Sequence, residues 1–169
     1  MKWNKKKTLQ VVLSLIFTIL LVALDQFTKM MAVAVLKDQP PVVLIDDVLE
    51  LRYLENRGAA FGILQNQKIV FLIVTVIISL AIIYVLCKLP EREFRALNVV
   101  LVFVLSGAIG NLIDRLRLDY VVDFIYFKLI DFPVFNLADI YVSVCCVILV
   151  ILVIFVYKDD DFKFLKKQK

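Results

Sequence analysis

The chain contains no histidine. That absence removes the commonest zinc sites and every catalytic triad that needs an imidazole base. Cysteine is scarce too. Cys87, Cys145 and Cys146 lie in or beside apolar runs and form no CxxC pair, so neither a disulfide framework nor a metal knuckle is expected. They read as small apolar fillers, and no metal or cofactor is implied. Polar surface is what the sequence lacks most. Hydrophobic residues make up 62% of its 169 positions, against roughly 45–50% in a soluble domain, and the mean hydropathy is +0.90. Such a chain cannot cover itself with polar groups in water, so lipid must be part of its solvent. The length allows one domain, 1–169, and not two substantial ones.

Four apolar runs are present. The first covers 9–24 and resumes after a polar interruption through 30–36. The second, 69–86, carries no charge; the third is 97–113, and the fourth 140–157, entered at about residue 139. Each is near the roughly 20 residues needed to cross about 30 Å of hydrocarbon. The expected fold class is an all-α membrane protein with four transmembrane helices, a small β-sheet and a surface segment outside the membrane.

The net charge of +4 is a topology signal rather than a nucleic-acid footprint. Basic residues gather at the N-terminus (Lys2, Lys5, Lys6, Lys7), between the second and third runs (Lys88, Arg92, Arg95) and in the tail (Lys158, Lys163, Lys166, Lys167, Lys169). The positive-inside rule then places both termini in the cytoplasm and segments 37–68 and 114–137 outside. A cleaved leader is the rival reading of 1–24. No small-x-small pattern follows it and Asp25 comes directly after Leu24, so the segment is expected to be retained. Asp159, Asp160 and Asp161 read as a solvated cytoplasmic end.

In the outward segments, Leu49, Leu51 and Tyr53 alternate with Glu50 and Arg52, the period of a half-buried strand. Residues 120–127, rich in valine, isoleucine and aromatics, read as a second. The two are expected to pair on the outer membrane surface, where amphipathic helices would be the alternative.

Charges near hydrocarbon are costly and mark function or a compensated pair. Asp25 and Lys29, at i and i+4, share a helix face and can pair. Asn111, Asp114 and Arg115 share another. Gly107 and Gly110 give that third helix a surface where a neighbour can approach closely. Asn136 and Asp139, three apart, fit a helix N-cap and a first-turn acid. That does not explain why Asp123, Asp114, Asn111 and Asn56 gather at the same face. Two carboxylates placed close together share a proton, so one acts as base and the other as acid at a single pH. Ser14, Ser79, Ser106 and Ser143 all fall inside apolar spans with no basic partner on the same turn, which serves a serine mechanism poorly.

Five stretches, DQFTK (25–29), NRGAAFG (56–62), SGAIGNLIDR (106–115), VVDFI (121–125) and FNLAD (135–139), occur in an order and at a spacing that closely resemble the lipoprotein signal peptidases, also called type II signal peptidases. The resemblance spans most of the chain. It implies an intramembrane aspartyl endopeptidase of the bacterial cytoplasmic membrane, active at the extracytoplasmic face. The implied substrate is a prolipoprotein, cut just before its diacylglyceryl-modified cysteine; membrane lipids are the other partner, a monomer is expected, and no nucleic acid is involved. The implied catalytic pair is Asp123 and Asp139. The implied supporting residues are Asp25, Lys29, Asn56, Gly58, Asn111, Asp114, Arg115, Asn136 and Ala138. Ser106 stands where the family often has glycine. Chemically, Asn111 and Asn136 suit orienting carboxylates, and Arg115 suits holding an extended peptide or neutralising Asp114. In NRGAAFG the glycines permit positive φ and the alanines leave room for a bound chain. The rival class, a small transporter or channel, needs polar residues through the whole membrane depth, and the uncharged second run does not supply them. A non-catalytic assembly protein is the third possibility.

Overall fold

The computed structural model describes residues 4–58, 67–90, 93–158 and 160–162. Lys2, positions 59–62 of NRGAAFG, Arg92, Asp159, Lys163, Lys166, Lys167 and Lys169 lie outside the described residues. Among the described residues, four helices are long and apolar enough to cross a membrane. Helix α1 (Lys5–Leu36) is capped by Asn4, whose side chain accepts from the Lys7 amide at 2.8 Å. It runs unbroken through Asp25, because the polar interruption read from sequence is an inward-facing stripe: Asp25 and Lys29 are buried while Leu24, Phe27 and Met30 stay exposed to lipid. Helix α2 is Lys68–Lys88 and α3 is Arg95–Leu118. Helix α4 (Leu137–Ile151) ends in a π-helical turn, Leu152–Val156.

Helix α3 is the centre of the bundle. Half of its apolar window is buried (50%), against 17% for each of the other three. Leu97, Leu101 and Leu105 pack with Ile82 and Leu86 of α2 and Cys145 of α4. Two glycines set how closely the neighbours approach. A Cβ at Gly107 would lie 2.5 Å from the Ala138 carbonyl oxygen of α4, and one at Gly110 would collide with Asp25 Oδ2 of α1. Close backbone approach through small residues is how helices associate in a solvent that supplies no hydrophobic drive.

Three antiparallel strands, β1 (Val42–Ile45), β2 (Leu49–Asn56) and β3 (Val121–Phe127), form a sheet in that order. The β2–β3 pairing is the one expected; β1 was not read from sequence. A register shift between Leu51 and Leu54 of β2 sets Leu54 opposite Asp123. Side chains alternate along a strand, so Val122 and Phe124 pack on Ala32 and Leu36 of α1, and Val121 and Asp123 face the other way. Asp160 and Asp161 are exposed, as expected of a solvated end, and Phe162 just beyond them packs edge-on to Tyr157 and near Phe94.

Candidate active site

Strand β3 carries Asp123 and also positions Asn136. Beyond a short turn the chain returns to β3, where Phe135 accepts at its carbonyl from Phe124 N (3.0 Å) and Ile125 N (2.8 Å) and donates its own amide to Ile125 O (2.9 Å). The next residue, Asn136, caps α4. Its Oδ1 accepts from the Asp139 amide at 3.0 Å, and its own amide donates to Asp139 Oδ2 at 3.1 Å, a reciprocal capping box. The same Asn136 donates Nδ2 to Asp123 Oδ1 at 2.7 Å. One asparagine therefore touches both carboxylates.

The remaining donors come from other elements. Asn56, at the end of β2, gives Nδ2 to Asp123 Oδ2 at 2.8 Å, and Asn111 of α3 gives Nδ2 to Asp139 Oδ1 at 2.8 Å. Asp123 is fully buried. Burial, reinforced by the nearby charge of Asp139, pushes its carboxyl up to about 7 against the pull of Asn56 and Asn136. Both aspartates line one cavity of about 450 Å³, with Asn111, Arg115, Pro133, Phe135, Ile140 and Ser143 among its walls.

Beneath them lies a second polar layer. Lys29 Nζ contacts Asp25 Oδ2 and Asp114 Oδ2, each at 2.9 Å, and donates to Asn111 Oδ1 at 2.8 Å. Those three partners match the three protons of an ammonium. Asp25 Oδ1 accepts from the Ala138 amide at 3.0 Å, and Asp114 Oδ2 from the Val122 amide at 3.2 Å. The layer thus ties α1 and α3 to the first turn of α4 and to β3. It also fixes Asn111, since Lys29 occupies its oxygen and leaves Nδ2 for Asp139.

All eleven site residues named from sequence fall in this region. Gly58 gives its amide to Asn56 Oδ1 at 3.0 Å, and its carbonyl accepts from Arg115 Nη2 at 3.2 Å. Ala138 contributes only its amide and its smallness. The expectation that Arg115 neutralises Asp114 is corrected: Lys29 is the cation on Asp114, and Arg115 holds the Gly58 backbone and stacks over Phe71. Adjacent residues on a helix point about 100° apart, so neighbours in sequence do not face one another. Ser106, fully buried, donates to Val102 O at 2.7 Å and fits without distortion.

Two contributors escaped the sequence reading. Gln26 donates Nε2 to Asp114 Oδ1 at 2.9 Å and to Gly110 O at 3.2 Å. The signal was an amide beside Asp25 in an otherwise apolar span. Ser143 lines the cavity one turn beyond Asp139, a position that i, i+4 spacing would have found.

Comparison with known proteins points to one family. A family profile described as Signal peptidase (SPase) II matches residues 17–155. A lipoprotein signal peptidase of Caldanaerobacter subterraneus is 46% identical over 144 residues, covering 85% of this chain and 97% of the relative. One from Clostridioides difficile is 43% identical over 143 residues, covering 85% and 95%. A solved bacterial membrane enzyme superposes with a TM-score of 0.74 at 31% identity, covering 92% of this chain and 93% of its own.

Proposed function

The chain belongs to the signal peptidase II family, a family of proteases, and from that premise we propose that it cleaves prolipoproteins with Asp123 and Asp139 as an aspartyl dyad. The observation that carries the dyad is two carboxylates facing one cavity with neutral amides as their hydrogen-bond partners. With Asp123 held near 7, the pair keeps about one proton at neutral pH, and the apparent pKa values belong to the pair jointly.

In this reading the ionised carboxylate removes a proton from water as its oxygen attacks the scissile carbonyl. The protonated carboxyl gives its proton to the carbonyl oxygen, forming a neutral gem-diol. When the C–N bond breaks, the diol returns a proton to one carboxylate and the other carboxyl protonates the departing nitrogen. The products are a signal peptide with a free carboxyl end and a protein with a free α-amine. Asn111 and Asn136 hold the two carboxylates, and Arg115 holds the chain at Gly58 beside the cavity.

The cut falls just before a diacylglyceryl-modified cysteine. The apolar walls at Phe132, Val134, Ile140 and Val144 suit acyl chains that remain in lipid. Lys5, Lys6 and Lys7 at the start of α1, Lys88 at the end of α2 and Arg95 at the start of α3 share one end of the bundle. That supports cytoplasmic termini and an extracytoplasmic site. A monomer suffices, because every proposed group comes from one chain. The test is purified protein in vesicles with a lipidated prolipoprotein, the products read by mass spectrometry. An amino-terminal diacylglyceryl-cysteine is expected. Cleavage elsewhere, or equal cleavage of an unlipidated precursor, would refute the substrate reading.

A further inference from the structure

At the opposite end of the bundle from the aspartates, α1 and α3 border a second cavity, of about 640 Å³. Its lining is ordered by depth. At the mouth stand Lys6 and Arg95, both exposed, and among the described residues neither has an acidic partner. About one turn further in lie Gln10 and Asn98, whose Oε1 and Nδ2 are buried and, among the described residues, without a hydrogen-bond partner. Asn98 Oδ1 is already taken by Ser14 Oγ at 3.1 Å, so its Nδ2 is a spare donor. Deeper still the walls are Leu13, Phe17, Val102 and Phe103. Leu13 and Phe17 are 44% and 56% exposed, which leaves the groove open sideways to lipid. From Lys6 to Phe17 the helix rises about 16 Å, close to half of a hydrocarbon core of about 30 Å.

We propose that this groove binds one anionic phospholipid from the leaflet around the N-terminal end of α1. The order of cations, orphaned amides and apolar wall matches phosphate, glycerol-ester region and acyl chain. Lys6 and Arg95 take the phosphate, Asn98 Nδ2 donates to an ester carbonyl, and a headgroup hydroxyl donates to Gln10 Oε1. Left empty, the groove strands two amide atoms at membrane depth, where each unsatisfied polar group is costly. Two cations without an acidic partner among the described residues favour an anionic headgroup over a zwitterionic one. The site shares no residue with the aspartate cavity.

The test titrates the full chain, in neutral detergent, with phosphatidylglycerol and with phosphatidylcholine of the same acyl chains. It follows thermal unfolding, and lipid retained in native mass spectra. Phosphatidylglycerol is expected to bind about tenfold or more tightly, and K6Q/R95Q to erase the difference while melting normally without lipid. V99W, which fills the groove and leaves both cations, should also lose retained lipid. K5Q, one residue off the groove, should keep the preference. Equal binding of the two lipids, a preference that survives K6Q/R95Q or V99W, or equal loss in K5Q, which would reduce the effect to bulk charge, overturns the proposal.

Discussion

Four aspartates lie within two polar layers of this bundle, and the layers treat them differently. Asp25 and Asp114 share the Lys29 ammonium, and each also accepts a backbone amide. Among the described residues, Asp123 and Asp139 accept only from neutral amides, those of Asn56, Asn111, Asn136 and the Asn136 backbone, and both face a cavity. Burial is similar for Asp25 and Asp123, both fully enclosed. The difference is direct contact with a cation: Lys29 touches the first two and, among the described residues, no cation touches the second two. A buried acid in contact with a cation and a backbone amide works as a structural tie. Asp123, buried with amide partners, is pushed up to about 7, the range that acid and base catalysis uses.

Replacing an acid in each layer tests this division most severely. D123N and D139N should each lower cleavage by about 10²–10⁴-fold or more, the usual scale of general acid and base catalysis, yet keep their melting temperature within a few degrees. A wild-type rate in either would collapse the distinction. K29M should fail in the opposite way. It leaves Asp25 and Asp114 buried without their cation, a loss on the order of 3–5 kcal/mol, seen as a much lower melting temperature in detergent. If K29M melts normally, the lower layer is not structural.

Smaller effects probe the connection between layers. N136A removes a donor from Asp123 and the cap of α4, so both readouts should move. About 0.5–2 kcal/mol of stability goes with the cap, together with a fall in turnover. The pH profile gives the finest test. Because the pair must hold one proton, the rate should drop as pH rises through about 7 and again in acid once both carboxyls are protonated. N56A removes a hydrogen bond that favours ionised Asp123, so its pKa rises and the alkaline limb should shift to higher pH. A shift to lower pH would contradict the assigned donor. Stability follows the same sign. Asp123 binds its proton more tightly folded than unfolded, so it favours the folded state less as pH climbs from the ordinary carboxylate range through about 7.

The sequence made the layers' residues visible but not their partners. Four apolar runs and the alternation at Leu49–Tyr53 were enough for the spans and the β2–β3 pair. Strand β1 was missed because VVLI is a short continuous apolar run, and all four residues are exposed. The first run was read through Asp25 as one span, with Asp25 and Lys29 on one helix face, and α1 is continuous there. Polar residues end a span only when they face lipid, and which way they face depends on α3. Likewise Asp114 sits beside Arg115 in sequence but pairs with Lys29, which chain order cannot disclose. The choice of Asp123 and Asp139 rested on family resemblance; their lack of direct contact with Lys29 is the physical feature that D123N and D139N put to the test.

The reciprocal cap between Asn136 and Asp139 has a consequence for how this protein could change under selection. A compound gripping Asp139 and Asn136 would hold atoms that the first turn of α4 needs in order to form. A substitution that loosened the compound would also loosen that helix start. Escape by point mutation would therefore have to come from the apolar rim, at positions such as Phe132, Ile140 or Val144, where a side chain can change without unfastening the bundle.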